Sequence, residues 1–244
     1  MQENANSIRL APMARLAGLL YLVIIVCGIF AEAGVRMRLI EFGDPTLTAA
    51  NIRASDMLFR AGFAADTIML FCDVAIAILF YTLLKSTGKT LALTATAFRL
   101  VQAAILGAGL LHCLGALLLL DESGYGSLFA EQQSQALALL LLDLHGHGYD
   151  LGLLFFAVSN FILGYLLIKS RLFPAFLGYG LQAAAAVYLV GGYIRFLLPD
   201  FLPFVQVFYV IPLIAELSFG LWLFIRGVGT PSAESRQIPG RPRF

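Results

Sequence analysis

Six stretches of this chain are long and apolar enough to cross a bilayer as helices, and that restricts its fold more than any other feature. About 20 apolar residues rising about 1.5 Å each span roughly 30 Å of hydrocarbon. The stretches cover residues 14–35, 59–84, 91–120, 142–168, 172–197 and 202–225, with charged or turn-rich segments between them. Each run is continuous, whereas barrel strands are short and alternate polar with apolar residues. The expected fold class is therefore all-α: a polytopic transmembrane helix bundle of about six spans, one domain over residues 1–226.

Composition agrees. A chain of 244 residues that is 60% hydrophobic and 13% charged cannot hide its apolar surface in one water-soluble core, so the lipid bilayer is its first expected partner. A net charge of +1 gives no reason to expect nucleic acid or an acidic partner. Cys27, Cys72 and Cys113 lie inside apolar runs, without the spacing of a metal knuckle, and read as small buried residues. Arg9, Arg15, the apolar run 16–30 and Ala31-Glu32-Ala33 imitate a secretory signal with its cleavage site; the length of the run favours an uncleaved anchor.

Basic residues near span ends set the orientation. Arg9, Arg15, Lys85, Lys89, Lys169, Arg171, Arg226, Arg236, Arg241 and Arg243 share one side, expected to be cytoplasmic in a bacterial inner membrane. Both termini then lie in the cytoplasm, and residues 227–244, rich in Pro, Arg, Ser and Gly, read as a disordered tail. The opposite side carries Glu41, Asp44, Asp56, Asp121, Glu122, Glu131 and Asp200, against which Arg36, Arg38 and Arg53 run. The short basic turns 85–90 and 169–171 predict antiparallel neighbours, while loops 36–58 and 121–141 leave room for a lid or re-entrant segment. No internal repeat supports an inverted-repeat carrier.

Charges inside hydrocarbon are costly, by at least about 2.5–3.5 kcal/mol each, so they must be paired, neutralised or turned to a cavity. Depth sorts them into two layers. The first contains Asp73, Arg99, Gln102 and Glu216; Arg99 and Gln102 are three apart, so one helix offers a guanidinium and an amide to carboxylates on two others. It reads as a packing knot or as a polar transport path. The second layer, nearer the outer surface, contains Glu32, Asp66, His112, Asp143, His145, His147 and Asp150. His112, His145 and His147, with Asp66 and Asp150, are the residue types that hold zinc or another divalent metal, alternatives being interfacial histidines or a proton relay. Asp143, His147 and Asp150 share a helical face; His145 points away unless the helix begins after Gly146 or Gly148.

Lesser signals complete the reading. Asn160, Gln182 and Ser218 suit interhelical hydrogen bonds, Arg195 is placed to snorkel to the outer interface, and Pro212 inside the last span predicts a kink near Glu216. Gly107-Ala108-Gly109 and the alanines at 183–186 allow close packing, within the chain or in a homodimer.

Several segments together resemble the bacterial membrane proteins grouped as domain of unknown function 4386. They are Ala14-Arg-Leu-Ala-Gly-Leu-Leu-Tyr-Leu, Leu58-Phe-Arg, Cys72-Asp-Val, Ala97-Phe-Arg-Leu-Val-Gln, Phe176-Leu-Gly, Ala215-Glu-Leu, Leu221-Trp-Leu and Gly227, which extend over almost the whole chain. The resemblance implies a multi-helix membrane fold in bacteria and transfers no activity. A ceramidase-like multi-histidine pattern, paired Asp-rich prenyl-diphosphate motifs, a rhomboid Gly-x-Ser-x-Gly and a retinal lysine are all missing. Three expectations of function remain: binding or transport of a small molecule through the charged intramembrane cavity; a metal- or cofactor-dependent enzyme acting on a lipid or apolar substrate at the histidines; and a structural or sensing component.

Overall fold

The computed structural model describes residues 2–121 and 123–228; the tail expected beyond 228, and Glu122, lie outside the described residues. All regular structure among the described residues is helical. Helix α1 (Gln2–Ile29) continues through a π-helical stretch (Phe30–Arg36) into α2 (Met37–Leu39). A short α3 (Pro45–Ala54) precedes α4 (Asp56–Leu84) and α5 (Lys89–Leu120). Then follow α6 (Glu131–Ser170) and α7 (Ala175–Leu197). A broken segment, 3-10 turn Pro199–Phe201, α8 (Leu202–Gln206) and 3-10 turn Val207–Tyr209, leads into α9 (Val210–Ile225). Among the described residues five helical segments are long and apolar enough to cross a membrane, and one of them, Asp56–Leu120, contains both α4 and α5.

The six long helices close into a ring in chain order: α1 packs on α4, α4 on α5, α5 on α6, α6 on α7, α7 on α9, and α9 back on α1. Local chemistry sets the corners. The α4–α5 turn reverses at Gly88, and α6 stops at Arg171, which adopts a left-handed φ of 57° while Ser170 Oγ donates to Leu167 O and accepts from Leu172 N. Pro174 then caps the start of α7. Helices α6 and α7 touch through bare backbone, since a Cβ on either Gly164 or Gly178 would lie 2.5 Å from the other's carbonyl oxygen.

Two apolar cores plug the ring. At the basic end Tyr21, Ile76, Phe80, Leu166, Leu181, Phe219 and Leu223 are buried together. At the acidic end a second cluster joins Val35, Ile52, Phe59, Cys113, Ala116 and Leu142.

Three boundaries differ from the sequence reading. Helix α6 begins at Glu131 rather than near residue 142, because Glu131, Gln132, Gln133 and Gln135 are good helix formers that a hydropathy reading ignores. The loop 36–58 holds α3, started by Asp44, whose side chain accepts from Leu47 N at 2.9 Å, and by Pro45 in the first turn. Pro212 makes no mid-helix kink: α9 starts at Val210, so the proline sits in a first turn where its missing N–H has no helical partner to lose.

Candidate functional site

Seven residues separate Asp66 from Asp73 on α4, so both face the ring interior, about 10 Å apart along the axis, and each meets an arginine from another helix. In the first layer Arg99 donates from Nε (2.9 Å) and Nη2 (2.5 Å) to Asp73 Oδ1, while Gln102 Nε2 donates to Asp73 Oδ2 at 3.1 Å. Arg99 is 2% exposed, and its guanidinium lies 4.9, 5.5 and 5.9 Å from the ring centres of Phe156, Tyr21 and Phe80. The cation is thus held by a carboxylate and three aromatic rings.

Glu216 belongs to a neighbouring cluster. Asn160 Nδ2 donates to its Oε1 at 3.1 Å, and the Tyr188 hydroxyl reaches the same carboxylate. The sequence grouping of Asp73, Arg99, Gln102 and Glu216 therefore resolves into a tight Asp73–Arg99–Gln102 unit and a separate Glu216–Asn160–Tyr188 unit. Asn160 is fully buried and its Oδ1 has no partner.

In the second layer Arg36 Nη1 donates to Asp66 Oδ2 at 2.5 Å and Nε to Glu32 Oε2 at 2.7 Å. Placing Arg36 in an outer loop was wrong, because α1 continues through the π-helical stretch and carries it to the interior, where it is 9% exposed. The signal available in sequence was its four-residue spacing from Glu32. Arg195 does not simply snorkel: its Nε pairs with Asp150 Oδ2 at 2.7 Å.

The histidines do not assemble. Helix α6 runs unbroken through Gly146 and Gly148, so His145 and His147 point to different sides. His145 is buried, with Nδ1 3.1 Å from Gly109 O; a carbonyl only accepts, so Nδ1 carries the proton and Nε2 is a bare acceptor without a partner. His147 Nδ1 likewise donates to Asp143 O at 2.9 Å. His112 lies on α5, and Asp66 and Asp150 are paired with arginines. Among the described residues no three His, Cys, Asp or Glu side chains are grouped so as to hold a metal ion.

Several polar side chains of the interior keep accessible surface. Glu216 is deep in the bundle, on the α9 stripe with buried Pro212, Phe219, Gly220 and Leu223, yet it keeps part of its surface open. So do Tyr149, Tyr188 and Tyr209. Tyr188 packs on Phe156 (5.6 Å between ring centres) and edge-on against Tyr209 (5.9 Å), and Tyr209 in turn lies near Asp150 and Arg195. These partly open side chains form a line between α6, α7 and α9, from the Asp150–Arg195 pair past Tyr209 and Tyr188 to Glu216. Arg195 also lines a surface concavity of about 540 Å³, with Phe42, Pro45, Leu140 and Asp143. Towards the basic end Tyr21, Phe80, Phe173 and Phe219 pack ring against ring, tilted or edge-on. Tyr21 and Tyr188 were missed in the sequence because they sit in apolar runs, where a tyrosine gives no hydropathy signal.

Residues 16–227 match the family described as domain of unknown function (DUF4386). An uncharacterised protein of the archaeon Archaeoglobus fulgidus is 25% identical over 162 residues, covering 66% of this chain and 80% of that protein. No solved structure matches.

Proposed function

The chain belongs to the DUF4386 family, and on that premise we propose that it is a six-span protein of a bacterial inner membrane that binds and carries a small molecule through its polar interior. The basic end and both termini are assigned to the cytoplasm, by the bias of lysine and arginine towards that side. One observation carries the reading: Glu216, deep inside the ring, keeps accessible surface while Arg99 and Asp73 beside it are sealed, and we read the partly open line from Tyr209 past Tyr188 as a crevice that leads to it. A carboxylate held at membrane depth is expensive if it only braces helices, because an apolar pair of the same shape packs at least as well. Arg99–Asp73–Gln102 serves as the rigid floor of this site. The broken stretch 199–209 supports the same reading, since irregular backbone in a membrane is tolerated where it lines a cavity or is buried in protein.

The test is a thermal-shift screen of the detergent-purified protein against small cations, anions and neutral solutes, repeated on Glu216→Gln. At least one solute should stabilise the wild type and lose its effect in the variant; a screen without any Glu216-dependent shift overturns the proposal. The topology is checked by single cysteines in a cysteine-free background. In intact cells a membrane-impermeant maleimide should label Ser123→Cys and spare Thr87→Cys, and the reverse pattern would invert the orientation.

A further inference from the structure

We infer that the Glu216 crevice takes a small organic cation, a primary ammonium, rather than an anion or a neutral solute; this rests on the reading of the crevice as a solute site and adds the class of ligand. The argument begins with pairing. Three guanidiniums enter the interior and each has an aspartate: Arg99 with Asp73, Arg36 with Asp66, and Arg195 with Asp150. Glu216 stands outside these pairs; its carboxylate accepts from the neutral Asn160 amide, with the neutral Tyr188 hydroxyl beside it. Arg99 lies near Glu216 and its Nη1 has no partner, but its charge is already matched by Asp73, so an ionised Glu216 leaves the foot of the crevice one positive charge short and an anion would add to that imbalance.

A second observation is independent of charge. Asn160 Oδ1 is fully buried, has no partner, and belongs to the side chain that holds Glu216. Turning the amide over would set oxygen against the carboxylate oxygen, so its orientation is fixed by Glu216 and the orphan is an acceptor. An acceptor beside a carboxylate calls for a ligand with several N–H donors, and an ammonium has three.

The walls agree with the floor. Phe156 already holds the guanidinium of Arg99 at 4.9 Å, and Tyr188 and Tyr209 continue the same aromatic lining upward. Faces of this kind attract a cation that has shed its water. The plug of aromatic rings at the basic end leaves the acidic end as the side of entry.

The experiment uses three probes with one ring and different charge, benzylammonium, benzyl alcohol and benzoate, titrated calorimetrically into the full-length protein in detergent. Wild type should bind benzylammonium about tenfold or more tightly than either other probe, and Glu216→Gln should remove that preference, the loss expected for one charge-assisted contact. The wild-type series decides the charge class by itself if the variant does not fold. Equal or tighter binding of benzyl alcohol or benzoate, still sensitive to Glu216→Gln, overturns the cation while leaving the solute site standing. Benzylammonium binding unchanged in a folded Glu216→Gln places the ligand elsewhere and overturns the inference; no binding of any probe overturns both it and the solute reading.

Discussion

Removing one partner of the Arg99–Asp73 pair should be far more damaging than removing both. Asp73 is 3% exposed; its Oδ1 accepts two hydrogen bonds from Arg99 and its Oδ2 accepts one from Gln102. Arg99→Met deletes the counter-charge and two of these three bonds while roughly filling the space among Phe156, Tyr21 and Phe80, so an uncompensated buried charge dominates its effect, at about 3–5 kcal/mol. Asp73→Leu strands the guanidinium and costs a similar amount, about 3–5 kcal/mol, softened by the aromatic faces that remain. In the double variant the orphan is the Gln102 amide, a neutral group worth about 1–3 kcal/mol. Singles that sum to at least about 6 kcal/mol against a double that loses no more than about 3 imply a coupling of about 3 kcal/mol or more, at the upper end of what contacting residues show.

The assay is unfolding in mixed micelles of rising denaturing-detergent fraction. Trp222, the single tryptophan, reports on it from the edge of the basic-end core, where its ring stands at 90° to Phe176. The reasoning is refuted by singles within about 1 kcal/mol of wild type, or by a double variant whose loss equals their sum.

Other outcomes follow from single contacts. Gly164→Val should destabilise by about 1–3 kcal/mol or prevent folding, since its Cβ would strike the Gly178 carbonyl, whereas Gly148→Ala, whose Cβ meets nothing within 4 Å, should be neutral or gain up to about 1 kcal/mol in the same assay. Asp66→Asn should cost about 3 kcal/mol by leaving Arg36 without its buried partner, but Glu32→Gln, whose side chain is 60% exposed, should cost under about 1 kcal/mol. Asp121 lies outside the apolar segments, and the Ser123 hydroxyl (2.7 Å) and backbone N–H (3.0 Å) hold its carboxylate below the ordinary aspartate range. With the folded value depressed, its contribution is complete above the unfolded value and disappears as pH falls through the folded one. A carboxyl NMR titration should give a low midpoint for Asp121 that rises in Ser123→Ala.

Hydropathy made the long helices legible because each apolar run must either cross lipid or be buried, and both outcomes look alike in sequence. It failed wherever helix is made by polar residues. The start of α6 lies in a Glu-Gln-Gln-Ser-Gln stretch ahead of the apolar residues that begin at Ala136, of which Ala138 and Leu142 pack into the acidic-end core. It failed again at Arg36, because the apolar run ends at Val35 while the helix continues through the π-helical stretch to Leu39. Asp66 was thereby left without its arginine and became available, on paper, to a metal. The helix does not begin after Gly146 or Gly148 but runs through both, so His145 and His147 face different sides, and Gly146 lets Arg195 approach, its Nη2 lying 3.2 Å from where a Gly146 Cβ would stand.

Pairing, rather than spacing, would have recovered more of the site. An interior aspartate in lipid needs a cation, and a helical repeat can say only which helix faces can meet. Spacing put Asp66 and Asp73 on one face of α4 and Arg99 with Gln102 on one face of α5, but it is silent on which helices adjoin. Once the ring order sets α4 between α1 and α5, the two aspartates meet Arg36 and Arg99, and Arg195 on α7 pairs with Asp150 on α6. Glu216 is then left outside the three guanidinium pairs, and the proposed binding site rests on that remainder, because α9 leaves the same carboxylate accessible instead of packing over it.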